Sequence, residues 1–168
     1  QTWRAADPVE SRYRRHMITI DEIKQAQKQW ADGLIHIGSA DSWSQAHERA
    51  EIVVNKLYGW TTDTVLFGPT KAKETQFRGS AEDAVSYFVG NDPKHPEDKG
   101  FALEPWVSVR FENTGFVCRD EMGIAMGNYF FGRADGSEVK VEFSFGYVRN
   151  ADGDLVIQLH HSAFPFSG

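Results

Sequence analysis

His160 and His161 stand side by side near the end of a run, residues 154–163, whose alternating apolar and polar residues predict a β-strand. An imidazole can exchange a proton near neutral pH or clamp a ligand. Successive strand side chains point to opposite faces, so the two rings diverge and cannot grip one metal ion. Leu155, Ile157 and Leu159 share a face, and strict alternation adds His161 to it while turning His160 away. His161 is therefore the candidate pocket acid or base; the alternative is a core histidine hydrogen-bonded to a neighbour.

The preceding strand, residues 137–149, alternates Val139, Val141, Phe143, Phe145 and Tyr147 with Lys140, Glu142, Ser144 and Gly146, giving one aromatic face that must meet the helices. Asn150-Ala151-Asp152-Gly153 reads as a three-residue hairpin loop with Gly153 at positive φ. That register sets His161 across from Phe143 and Leu159 across from Phe145. It sets His160 near Ser144 on the outer face, diagonal to Glu142, so His160, Glu142 and Ser144 form a candidate interface set. A two-residue turn at Asp135-Gly136 places Asn128 beside Phe143 on the inner face; a shift of one residue places Gly127 there and turns Tyr129 inward. Asn128 and Tyr129 are both kept as ligand-binding candidates, with Phe143 and Tyr147 as lining rings.

Arg78, just before a helix start at Ser80, could bind an anion together with the exposed amides of that helix, or pair with Glu82 or Asp83. Trp106, after Pro105, opens a strand at a polar loop and either rims the pocket or packs in the core. Gly68-Pro69-Thr70-Lys71 lacks the glycine spacing of a phosphate loop and reads as a turn. Asp63, Asp120 and Glu104 fall at strand ends, where solvent is the usual surrounding.

The elements that must position these residues begin with a helix capped by a Thr19/Glu22 box and carrying Ile23, Trp30, Leu34 and Ile37 at helical spacing to Gly38. A second starts at Asp41 or Ser42, with Trp43, Ala46, Ala50, Val53 and Leu57 as its stripe, and stops at Gly59. Val65–Phe67 and Thr75–Arg78 read as short strands, and Ser80 with Asp83 opens a third helix to about Phe88. A polar loop, residues 90–100, precedes strands at about 103–113, 116–132, 137–149 and 154–163. Helices followed by long strands predict an α+β fold: N-terminal helices on a strongly curved mixed or antiparallel sheet forming a conical pocket. The expected division is an N-terminal arm, residues 1–18, and one domain, residues 19–168.

Composition narrows the partners. The chain has 168 residues, 40% hydrophobic and 13% aromatic, enough to build a core. A net charge of -6 argues against nucleic acid or an anionic membrane surface as the main partner, and the basic run Arg12, Arg14, Arg15 and His16 reads as a solvated arm. No apolar run approaches the about 20 residues of a membrane helix, so a soluble protein is expected. Cys118, the sole cysteine, excludes an internal disulfide and a multi-cysteine cluster, and reads as a small buried hydrophobe. Neither a cofactor nor a metal is expected. The chain begins at Gln1, which leaves a cytoplasmic location and export behind a cleaved signal both open.

The tail Leu159-His160-His161-Ser162-Ala163-Phe164-Pro165, preceded by Asn150-Ala151-Asp152-Gly153, resembles the end of the association (hub) domain of calcium/calmodulin-dependent protein kinase and its bacterial relatives, members of the nuclear-transport-factor-two-like (SnoaL-like) superfamily. Residues 75–80 and 100–106 are similar to uncharacterised bacterial members. The resemblance implies a cystatin-like roll, a homodimer formed through sheet faces, and a deep pocket whose occupants vary among relatives. The hub domain carries a pocket arginine on the strand before the last; Phe145-Gly146-Tyr147 has none, and Arg78 or Arg110 would have to replace it. The leading expectation is a homo-oligomeric domain binding a small, partly apolar molecule. Its rivals are a cofactor-free lyase, isomerase or cyclase using His161, and an assembly module with an incidental cavity.

Overall fold

A computed structural model of the chain describes residues 17–168. The basic run and most of the expected arm lie outside them. Ile18, assigned to that arm, is fully buried, and its amide donates to the Arg119 carbonyl at 3.1 Å, so the domain begins before the first helix.

Helix α1 spans Ile20–Gly38, and both halves of the Thr19/Glu22 capping box are formed. It buries Ile23, Gln27, Trp30, Ala31, Leu34 and Ile37. Gly38 ends it where a Cβ would collide with the Ala102 carbonyl oxygen. Helix α2, Trp43–Leu57, is capped by Ser42 and packs on α1 through Ala46, Ala50, Val54 and Leu57. Trp43 and Val53, expected in that stripe, are displaced from it: Trp43 is exposed and its indole donates to the Val89 carbonyl, while Val53 is half-buried. Helix α3, Ala81–Val89, is capped by Ser80 and nearly all buried.

Strands β1 (Leu66–Gly68), β2 (Ser108–Cys118), β3 (Gly123–Gly132), β4 (Glu138–Arg149) and β5 (Leu155–Ala163) form one mixed sheet in the order β1-β5-β4-β3-β2. Only β1 runs parallel to its neighbour, β5. Residues 75–78 are not a strand: apart from the Arg78 amide on the Phe67 carbonyl, their backbone makes no ladder. No helix among the described residues is long and apolar enough to cross a membrane.

Two irregularities set the register. The β3–β4 hairpin closes through a loop in which the Arg133 amide donates to the Ser137 carbonyl and Gly136 adopts a φ of 87°. This is a three-residue connection, so Gly127 pairs with Phe143, Tyr129 with Val141, and Asn128 faces outward. In β5, Gly146 pairs with Leu159 but Tyr147 pairs with Ile157, which leaves Gln158 as an extra, bulged residue. Alternation restarts after the bulge. Ile157 faces the helices before it, His160 and Ser162 face them after it, and Leu159 and His161 point out.

A second bulge, at Thr114 of β2, bends the sheet around Gly127, where a methyl would strike the Glu112 carbonyl oxygen and stand 2.9 Å from Asn113 Cα. Gln27 and Asn113 exchange two side-chain hydrogen bonds at 2.7 and 2.9 Å and clasp α1 to this bend. Replacing Gly127 by alanine should lower stability by about 1–3 kcal/mol, read as a lower urea midpoint at unchanged m.

Candidate functional site

The inner face of the sheet presents Phe111, Tyr129, Phe131, Phe143, Phe145 and Tyr147, and Trp30 of α1 descends into their midst. Its ring centroid lies within 6.5 Å of six others, including Tyr129, Phe145 and His160. Most of the expected conical hollow is thereby filled. What remains is a cavity of about 10 Å³ lined by Trp30, Phe67, Pro69, Thr70, Tyr87, Phe88, Phe101, Tyr129, His160 and Ser162. That is room for about one water-sized molecule.

Five polar side chains converge there. His160 stacks on Phe145 at 4.1 Å and on Phe67 at 5.0 Å. Its Nε2 lies 3.1 Å from both the Tyr129 and Ser162 hydroxyls, which also hydrogen-bond each other. The Thr70 side chain shares the cavity wall with the phenols of Tyr87 and Tyr129, and the Tyr87 oxygen accepts from the Lys71 amide at 3.2 Å. Behind His160, its Nδ1 lies 2.7 Å from the Tyr58 hydroxyl, which accepts from the Trp30 indole at 3.0 Å. Burial dominates the titration of the phenols and of the imidazole. It pushes the phenols of Tyr58, Tyr87 and Tyr129 above their ordinary range, and with His161 as a smaller contribution it lowers His160 to about 3. The cluster is uncharged at neutral pH.

Two loops carry the mouth. Residues 69–79 bring Thr70 in from β1, and Glu97 holds them to the 90–100 loop by accepting the amides of Lys73, Glu74 and Thr75 at 2.6, 3.0 and 2.8 Å. Asp98 next to it forms a two-pronged pair with buried Arg78, both bonds at 2.7 Å, and also accepts from Ser86 of α3. An outer cavity of about 400 Å³, edged by Lys71, Glu97, Lys99 and Trp106, shares the Tyr87 and Phe101 walls with the inner one.

The structure corrects the predicted site at several positions. His161 lies on the outer face opposite Ser144, in a shallow groove with Asn128 and Glu142; His160, expected in that place, is inside. The Gln158 bulge is the physical reason. Tyr129 points inward and Asn128 outward because the Asp135-Gly136 hairpin has three loop residues. Phe143 and Tyr147 belong to the inner face, though neither lines the cavity. Arg78 is sealed against Asp98, with its main-chain bonds to Thr75 and Asp83 completing its shell, so it offers nothing to an anion; Glu82 is not its partner. Arg110 is exposed and paired with Glu112 and Glu138. Trp106 is buried, its indole donating to the Phe101 carbonyl at 2.7 Å. Thr70, Tyr87, Tyr58 and Ser162 were not singled out by the sequence; Ser162, two residues past His160 and so on its face, was the one with a readable signal.

Among the described residues no three His, Cys, Asp or Glu side chains come together as a metal-holding group. A family model described as metal-independent carbonic anhydrase matches residues 21–164. The metal-independent carbonic anhydrase of Nostoc sp. is 35% identical over 153 residues, covering 89% of this chain and 75% of that protein. The crystal structure of a cyanobacterial iota-carbonic anhydrase complexed with bicarbonate superposes with a TM-score of 0.88 at 33% identity, covering 91% of this chain and 96% of that one. A Xanthomonas campestris protein of the calcium/calmodulin-dependent protein kinase II association-domain type gives a TM-score of 0.57 at 20% identity over 99% of this chain and 97% of that one, which is a likeness of fold alone.

Because His160 is held neutral, its unfolded form binds a proton between its ordinary value near 6.5 and about 3 while the native form does not. Its contribution is present above pH 6.5 and is lost as pH falls, by roughly 1.4 kcal/mol per pH unit within that window. Urea unfolding at pH 4 to 6 should show a shallower pH slope in His160→Gln than in the wild type, by about one proton; equal slopes would contradict a neutral buried imidazole.

Proposed function

The chain belongs to the metal-independent carbonic anhydrase family, and we propose that it interconverts carbon dioxide and bicarbonate at the small cavity bounded by Thr70, Tyr87, Tyr129, His160 and Ser162, whose walls must part to admit substrate because the space holds one water-sized molecule as it stands. The observation that carries the reading is the convergence of four hydroxyls and one imidazole on one small cavity inside a shell of aromatic rings. Carbon dioxide has no net dipole and enters an apolar chamber without losing strong hydrogen bonds. Hydration places charge on its oxygens as water adds to the carbon and one C=O π bond opens. Hydroxyls already aimed into a dry cavity stabilise such developing charge without first reorganising.

In this scheme Thr70, Tyr129 and Ser162 hold the oxygens of carbon dioxide and then of bicarbonate, and the rings exclude bulk water. The proton released from the attacking water passes by way of the cavity hydroxyls to solvent water in the outer cavity, on the far side of Tyr87. The isomerase and cyclase alternatives lose their motive, since each relied on His161 facing inward; the lyase alternative survives in altered form, because dehydration of bicarbonate is a lyase reaction, here at the cavity of His160 and not at His161.

The test is carbon dioxide hydration followed by stopped flow on chelator-treated protein. Full activity is expected after chelation, and Ser162→Ala and Tyr129→Phe should each lower kcat/KM by about 10²-fold. Unchanged rates in both variants would remove the cavity as the reaction site. Bicarbonate binding without turnover would leave a binding domain, and activity restored only by added zinc would remove the metal-free chemistry.

The homodimer belongs to the same proposal. The outer face of the sheet exposes Val117, Ile124, Met126 and Leu159, an apolar surface that a second copy would cover. Light scattering should give a dimer for the wild type and a monomer for Met126→Glu; a monomeric wild type would overturn it.

A further inference from the structure

We infer that Tyr58, with Trp30 behind it, is a positioning residue that fixes His160 as its Nε2–H tautomer, so that the imidazole meets the cavity as a hydrogen-bond donor and not as a base. The inference deepens the proposed carbon dioxide chemistry, yet its structural part can be read without any turnover.

An indole nitrogen can only donate, so the Tyr58 oxygen is the acceptor of the 3.0 Å bond from Trp30. Tyr58 is 1% exposed and has one proton of its own, and the remaining partner of its hydroxyl is His160 Nδ1 at 2.7 Å. Burial keeps this phenol protonated. Its O–H must therefore be directed at Nδ1, which accepts with a lone pair. A neutral imidazole carries a single N–H, and with Nδ1 accepting, that hydrogen is on Nε2. Nε2 faces Tyr129 and Ser162, 3.1 Å from each oxygen, and so donates to them.

The polarity of the chain runs one way: Trp30 to Tyr58, Tyr58 to His160, and His160 to the two cavity hydroxyls. A hydroxyl that accepts such a bond becomes a better donor, and its own proton is left to point at Thr70 or at an oxygen of the substrate. The opposite tautomer would put Nδ1–H against the Tyr58 oxygen, leaving the buried Tyr58 O–H with no acceptor and directing Nε2 to receive protons from the groups that must bind an oxyanion. Neither Trp30 nor Tyr58 lies where it would touch the reacting atoms through its own polar group, so both act through His160.

Nitrogen-15 NMR of the imidazoles tests this directly. The chain has six histidines, and His160→Gln assigns the resonances of the buried one. The expected wild-type pattern is a protonated, pyrrole-type Nε2 and a pyridine-type Nδ1. In Tyr58→Phe the His160 signals should move towards the other tautomer, and kcat should fall tenfold or more with KM within twofold. A pyridine-type Nε2 in the wild type would overturn the inference, as would a Tyr58→Phe protein with unaltered tautomer and kcat. Should Tyr58→Phe fail to fold, the wild-type spectrum decides alone. Should the protein show no carbon dioxide hydration, the tautomer reading stands and the function falls separately.

Discussion

The extra residue at Gln158 in β5 governs which side chains meet the core. Without it, the same strand would carry Leu159 and His161 inward and leave His160 and Ser162 against solvent. A bulge reverses side-chain parity over everything that follows while costing the ladder one unpaired residue. It is tolerated here because β5 is held on both sides, by β4 and by the parallel pairing of β1. The adjacent Gly146 accommodates the shift, since a Cβ there would press against Leu159 at 3.1 Å.

Turning an imidazole into an aromatic interior imposes a second requirement. A buried polar group without a partner is expensive, typically about 1–3 kcal/mol. The cluster meets the demand collectively: both ring nitrogens of His160 are engaged, the indole of Trp30 donates to the Tyr58 hydroxyl, that hydroxyl meets His160, and the hydroxyls of Tyr129 and Ser162 meet His160 and each other. Such a network is rigid, because moving one member orphans another. Rigidity and low polarity of the surroundings are what the proposed site, which carries no formal charge, would need in order to stabilise a transient oxyanion.

The charged residues of the region serve the walls. Glu97 caps three consecutive amides, their hydrogen bonds, that of Lys73 first, holding its carboxyl below the usual range, and Asp98 neutralises the buried Arg78. Together they tie the loop that delivers Thr70 to the loop and helix that deliver Tyr87. The pairing of Arg78 with Asp98 is isolated from water, so its function is to hold shape; removing one partner would strand the other charge.

Local rules made much of the fold legible. The Thr19, Ser42 and Ser80 caps, the helical spacing of Trp30, Leu34 and Ile37, the aromatic alternation of Phe143, Phe145 and Tyr147, and the Gly153 hairpin all depend on interactions within a few residues, and each formed as read. Tyr129 was reachable as one of two registers. The inward histidine was not, because a bulge is favoured by the total packing of the strand against its neighbours and leaves no mark in a run whose residues suit either parity. Thr70, Tyr87 and Ser162 come from a turn, a helix and a strand far apart in the chain. Local patterns were enough for the three helices, the four long strands and an aromatic inner face; which polar groups enter that face was settled by closed packing, since no short stretch of chain encodes the convergence of distant side chains.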